Sequence, residues 1–300
     1  MSFSNASKIG LCLLLAVAGC KRAPEPPPTA TASEPEAAVL QLAKHLHDNN
    51  LEAFARDAVP ATDLARLETA WTQDRSRWPL TELPLDDQLQ PMLAALAAKD
   101  AETTLQQSFR RNFANQHRDL KDAAHSLGLF GVQYVKNEGA YTDEERTHYA
   151  QLIAALAEWA EAAPLGDPKR GAAAIPALAA AARKTGLDTE QAFHDAGMQG
   201  SLRKLGPFLA QVKATLADYG LPLDESFAGL RTELLEQKGD VARVRLHYPL
   251  GKQQIDTVVT LQRRGGHWYL VDFLRHAQEA LSPPVEETPE PAVDPGIKTS

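Results

Sequence analysis

The sequence predicts an α+β fold, a mainly helical body followed by a small C-terminal four-stranded antiparallel meander. Two patterns carry that prediction. Between Pro35 and Tyr219, apolar residues recur at helical spacing in sequence rich in alanine and leucine; from Leu230 onward they recur at every second residue. A third observation sets the limits of the folded part. Half of the chain's 20 prolines lie in the two segments before Glu36 and after Ser282, which leaves the stretch between them regular.

The chain opens with Lys8 and an apolar run from Ile9 to Ala18, the charged and apolar regions of a secretory signal. The run is too short to span a bilayer, which takes ~20 apolar residues. It ends in Val17-Ala18-Gly19-Cys20, and with those residues the N-terminus resembles bacterial lipoprotein precursors. The resemblance implies cleavage between Gly19 and Cys20, a diacylglycerol on the Cys20 thiol, and a protein held on a membrane by its acyl chains. In that family an Asp after the cysteine commonly marks inner-membrane retention. Lys21 stands here, which implies the outer membrane, facing the periplasm. Two or three chains anchor stably where one is marginal, at ~0.8 kcal/mol per buried methylene. Residues 1–19 are thus expected to be a leader, and 20–33, with Pro24, Pro26, Pro27 and Pro28, a disordered spacer of ~3.1 Å per residue. Residues 282–300 are expected to be a disordered Pro/Glu-rich tail.

Composition excludes several functions. The only cysteines are Cys12 and Cys20, so the body has no disulfide, thiol nucleophile or cysteine metal site. A net charge of −8, more negative still once Lys8 leaves with the leader, argues against nucleic acid as a partner.

A helical domain is expected over 34–222. Ser33-Glu34-Pro35-Glu36 reads as a capping box ahead of a helix with Val39, Leu42 and Leu46 on one face. Asn49-Asn50 breaks it, a short helix carries Phe54 and Ala55, and a third carries Leu64, Leu67 and Trp71. Trp78-Pro79 opens a loop; Trp71, Trp78, Trp159 and Trp268 are expected to fill the core, with Trp78 the one suspected of a surface contact. Leu89, Met92, Leu93 and Leu96 mark the next helix, and Ala101–Phe113 and Leu120–Tyr134 follow, with Gly128 and Gly131 marking a close approach or bend. Thr142-Asp143-Glu144-Glu145 is a second capping box, opening the clearest helix. Asp167-Pro168 starts another, bent or interrupted at Pro176 and closed at Gly186. Asp188–Ala196 and Leu202–Tyr219 complete the set.

Residues 223–281 read as the sheet and a terminal helix, packed on the helical domain. The expected strands carry Leu230, Thr232 and Leu234, then Ala242, Val244, Leu246 and Tyr248, then Ile255–Gln262, then His267–Phe273; a helix follows over Leu274–Leu281. With the Gly266-His267-Trp268 turn before the last strand, this end resembles the closing strands of NTF2-like lipoprotein domains. The resemblance implies N-terminal helices packed on a curved sheet, a part residues 36–60 would take, with 85–222 as an insertion.

No nucleophile elbow, phosphate loop or His-Glu-x-x-His motif occurs, and no cofactor is expected. The pairs Asp122-x-x-His125 and Glu145-x-x-His148 place carboxylate and imidazole one turn apart, as dimetal carboxylate bundles do, and Glu190 and His194 are spaced i, i+4. With nine histidines and 39 acids such pairs arise by chance, so Asp122, His125, Glu145 and His148 are candidates only and the ordinary reading is solvated ion pairs. The favoured expectation is therefore a membrane-anchored, non-catalytic binding or scaffold component of the envelope with a protein partner. A small-ligand carrier with an NTF2-like pocket and a periplasmic enzyme using carboxylate/His pairs are the alternatives. An apolar cavity under Val244, Leu246 and Val259 would favour the carrier, His125 and His148 meeting in a cleft the enzyme, and a filled core with an exposed apolar patch the scaffold.

Overall fold

Proline at a first helical position costs no hydrogen bond, and Pro35 opens α1 (Pro35–His47) in that way. The structure, a computed structural model, describes residues 34–83, 86–137, 139 and 141–282. The leader, Gly19, Cys20, the spacer and the tail beyond 282 lie outside the described residues, as does Ser33. Glu34 is the N-cap of α1 without a side-chain cap, and Glu36 reaches the sheet instead, where it accepts the Leu234 amide at 2.9 Å. The turn after α1 uses Asn49 in the left-handed region, and Asn50 then caps α2 (Leu51–Ala58) by accepting the Ala53 amide.

From α3 (Ala61–Thr72) the chain passes through a single 3₁₀ turn at Leu80–Glu82 into α4 (Asp86–Ala97) and α5 (Ala101–Asn112). Then come the long pair α6 (His117–Asn137) and α7 (Asp143–Ala162), then α8 (Pro168–Thr185), α9 (Glu190–Asp218) and the short α10 (Leu223–Ala228). The strands β1 (Arg231–Lys238), β2 (Val241–Leu250), β3 (Gln253–Arg264) and β4 (His267–Leu270) form one antiparallel meander in chain order, and α11 (Val271–Leu281) closes the described chain. The α+β class, mainly helical with a small C-terminal sheet, is therefore the class of this protein. Among the described residues no helix is long and apolar enough to cross a membrane.

The core is in three parts. Trp71, Trp78, Leu93, Leu187, Leu202 and Phe208 fill the space between helices, while Ala38 and Val39 of α1 pack on Ala242, Val244, Leu246, Leu261 and Trp268 of the sheet. A third group joins Ala155 of α7 to Leu250 and Ile255. α1 and α7 lie against the strands, and the described residues form one compact unit.

Several local expectations need correction. Trp78 is not at the surface; it is fully buried, and its indole N–H finds the one polar partner it needs in Glu82 Oε1 at 2.8 Å. Trp159 is only partly buried, donating to the Tyr219 carbonyl at the edge of the third core group. Pro176 does not interrupt α8, and the break expected after Ala196 is a kink within α9 at Gly197, whose φ of 65° and ψ of 176° leave the helical region. Leu234 does not pack inward, because the register of β1 shifts between Leu234 and Glu236 and leaves Leu234 and Leu235 about equally exposed on this edge strand. The last strand ends at Leu270, and the helix begins at Val271 rather than Leu274. Leu274 and Ala277 bury one face there, and Asp272 in the first turn complements the positive helix end.

Gly128 and Gly131 do mark a close approach. A Cβ on Gly128 would lie 2.4 Å from the Ala157 Cβ, and one on Gly131 would lie 3.1 Å from Ile153 Cγ2, so α6 and α7 meet through missing side chains. On the other side of α6, Leu127, Leu129, Phe130 and Tyr134 are exposed. Replacing a helical glycine by alanine normally adds ~1 kcal/mol, whereas overpacking costs ~1–3 kcal/mol. Gly128→Ala should therefore lower stability by about 1 kcal/mol in urea denaturation, and adding Ala157→Gly should restore it. A Gly128→Ala chain more stable than the parent would contradict the contact.

Candidate functional site

Between the inner face of the sheet and the helices is a cavity of about 340 Å³. The alternation of β2 and β3 explains its floor: Leu246 pairs with Thr257 and Val244 with Val259, so Leu246, Thr257 and Val259 share one face. Leu46 and Leu51 form the opposite side, at the junction of α1 and α2. Phe54 and Phe273 meet edge-on there, with ring centroids 5.6 Å apart. Val244 lies on the same face beside this floor, fully buried against α1. Tyr149 of α7 and Leu80 of the 3₁₀ turn complete an apolar lining, and the exposed Leu83 and Glu144 stand at its rim.

One end of this cavity is polar, and Glu145 organises it. The Thr142–Glu145 capping box is formed: Glu145 Oε2 accepts the Thr142 amide at 2.7 Å, and Thr142 Oγ1 accepts the Glu145 amide at 3.2 Å. The other oxygen, Oε1, accepts a bond from Arg275 Nη2 at 2.5 Å and lies 3.4 Å from His276 Nε2, although Glu145 is only 5% exposed. The Nδ1 of His276 faces Glu82 Oε2 at 2.8 Å, and Glu82 Oε1 receives the Trp78 indole. A continuous chain of polar contacts thus runs from Trp78 through Glu82, His276 and Glu145 to Arg275. It ties the 3₁₀ turn, α7 and α11 together.

Charge and burial shift the groups around it. The bond to Glu82 holds His276 above its ordinary 6.5 against the opposing effect of burial. Burial, and then the charge of Glu145, raise Asp272. Burial, followed by Glu145 and Glu82, pushes Tyr149 up to about 12. His148 is lowered by burial; its Nε2 is hydrogen-bonded to the Tyr248 hydroxyl at 2.6 Å, which burial shifts upward. Among the described residues no side-chain hydrogen bond reaches the Asp272 carboxylate, and Arg275 lies 3.9 Å from it.

The residues singled out from sequence are dispersed. Glu145 and His148 both reach the cavity wall, but Asp122 and His125 do not join them. His125 pairs on the surface with Glu161 at 3.0 Å, more than three turns along α7 from His148, ~20 Å at 1.5 Å per residue. Glu190 pairs with Arg77 rather than His194, which bonds the Thr72 carbonyl. His45 is buried with Asp57 at 2.7 Å, tying α1 to α2, and His47 is on the solvent face. Arg263 at the hairpin tip is bonded to Asp240. Among the described residues no group of three or more His, Cys, Asp or Glu side chains is placed to hold a metal ion.

Asp272 falls outside a helix beginning at Leu274, and Glu82, in the 3₁₀ turn, is 194 residues from its partner His276, beyond any spacing rule. Starting the helix at Val271 puts Asp272 and His276 one turn apart and within reach of Glu145. No protein-family model matches this chain, and no curated protein and no solved structure is significantly similar to it.

The sign of one pH effect follows. A histidine whose folded value is raised contributes stability that is full below its unfolded value and is lost as pH rises through the folded one. His276→Gln should therefore cost most at pH 6, with the gap to the parent narrowing as pH rises from 6.5 through the raised value of His276. Urea denaturation over a pH series reads this. A gap that stays constant or widens with pH would contradict the Glu82–His276–Glu145 arrangement.

Proposed function

We propose that this chain is a lipid-anchored, periplasm-facing protein of the bacterial cell envelope whose body binds a small, largely apolar ligand without transforming it. The observation that carries the binding reading is the cavity itself. Its volume of about 340 Å³ falls within the ~300–1,000 Å³ of ligand sites, and an apolar lining with a few polar groups at one end is the usual composition of such sites. Packed cores leave few voids larger than a water molecule, so a space this size under Leu246 and Val259 is poorly explained as a packing fault. The carrier reading is therefore preferred to the scaffold reading favoured by sequence alone.

The non-catalytic part rests on how the side chains are engaged. Both ring nitrogens of His276 face carboxylates, so this imidazole cannot reach a substrate proton without giving up a partner, and Nε2 of His148 is bonded to Tyr248. The anchor and the location rest on Val17-Ala18-Gly19-Cys20 and Lys21. The scaffold reading keeps one observation in its favour, the exposed apolar residues of α6, and photocrosslinking from position 130 in cells tests it: capture of one dominant envelope protein would make that face an interface.

N-phenyl-1-naphthylamine, an apolar fluorescent probe, should bind the full chain in nanodiscs above the background of empty nanodiscs. Val259→Trp should weaken that binding at least about tenfold, ~1.4 kcal/mol, while leaving the circular dichroism spectrum unchanged. Equal binding by both chains would refute the cavity as the site. For the anchor, Cys20→Ala should remove the protein from outer-membrane fractions; a variant that fractionates as the parent does would refute lipidation.

A further inference from the structure

We propose that the cavity selects an amphiphile with an apolar body and a cationic amine head, and rejects the carboxylate and phosphate heads of fatty acids and phospholipids. This rests on the ligand-binding reading above and adds the chemistry of the head group. Four carboxylates stand on the cavity wall, Glu82, Glu144, Glu145 and Asp272, and the imidazole of His276 is the one basic group there held above its ordinary value, by its bond to Glu82. Burial lowers His148, the other imidazole on the wall. The guanidinium of Arg275 is directed to Glu145, Glu279 and Asp272, and Arg275 is not on the wall.

The four carboxylates are not equivalent. Glu82 and Glu145 are spent on Trp78, His276, Thr142 and Arg275. The ion-pair partners of Asp272 and Glu144 are Arg275 at 3.9 Å and Arg243 at 3.6 Å, and the charge of His276 also acts on Asp272. These two carboxylates lie close enough for the charge of Glu144 to act on Asp272, and Glu144 is at the rim. A ligand entering with its apolar body against Leu246, Phe54 and Phe273 would leave its head between Asp272 and Glu144, beside the ring of Tyr149. An ammonium there gains two carboxylates and an aromatic face. A carboxylate or phosphate would be desolvated among like charges.

The test uses octylamine, 1-octanol and octanoate against the full lipidated chain in nanodiscs, with affinities taken from the concentration dependence of the melting temperature. The Val259→Trp chain supplies the background from partition into lipid. Octylamine should bind about tenfold or more tighter than octanol, and octanoate should give no shift above background. In Asp272→Asn/Glu144→Gln the amine should fall to the level of octanol while octanol is unchanged; Glu144→Gln alone, at an exposed position, serves if the double variant does not fold and should still reduce the preference. Octanoate binding as tightly as octylamine would overturn the amine proposal and leave the cavity as a binding site. Failure of all three compounds to shift the parent above background would overturn the ligand-binding reading and this proposal with it.

Discussion

A carboxylate that is 5% exposed must have its charge compensated where it lies, and the compensation of Glu145 determines how the elements around the cavity meet. One oxygen closes the N-terminus of α7; the other holds Arg275 and His276 of α11. His276 carries the contact on to Glu82, and Glu82 to the buried indole of Trp78. Removing one partner of a buried pair costs ~3–5 kcal/mol, and because Arg275 is 31% exposed the lower end of that range applies. The network is therefore a fixed frame on one side of the cavity. The apolar lining can remain unfilled there because the elements around it are held by directed contacts and not by packing alone.

The sheet makes the same point from the other side. Four antiparallel strands need cover on a single face, and α1 supplies it over Ala242, Val244 and Leu261. Further along β2 and β3, α7 covers Ile255 and Leu250. Between these two contacts Leu246 and Val259 meet the side chains of α2 and α11 across a gap, and that gap is the cavity. Its polar end comes from α7 and α11, and its apolar body from the sheet and the α1–α2 junction. A head-and-tail ligand fits that division.

Much of the fold was legible in the sequence because its signals were local. Pro35 at a helix start, Asn49-Asn50 as a break, the Thr142–Glu145 box and the alternation Ala242-Val244-Leu246 each specify a few residues at a time. The glycines of α6 could be read as a close approach because nothing else favours glycine within a helix. What was not legible depends on long-range contacts. Trp78 follows a polar stretch and precedes a proline, as surface loops do, yet Glu82 four residues on satisfies its indole and lets it enter the core. Asp272 and Phe273 fit a strand ending in Tyr-Leu-Val as well as a helix start; tertiary packing of Leu274 and Ala277 decided for the helix. Of the candidate site, Glu145 and His148 were singled out, but for a metal-like pairing with Asp122 and His125. The partners of Glu145 are instead 130 residues away in sequence on α11, beyond any spacing rule.

The most direct measurement is a methyl-resolved NMR titration of the Leu/Val-labelled full chain in nanodiscs with N-phenyl-1-naphthylamine. The account predicts that shifts concentrate on Leu46, Leu246, Val259 and Leu270, with the methyls of Leu127 and Leu129 on α6 unmoved. Shifts confined to Leu127 and Leu129 would contradict it. They would make the exposed face of α6, and not the space beneath the sheet, the surface this protein uses.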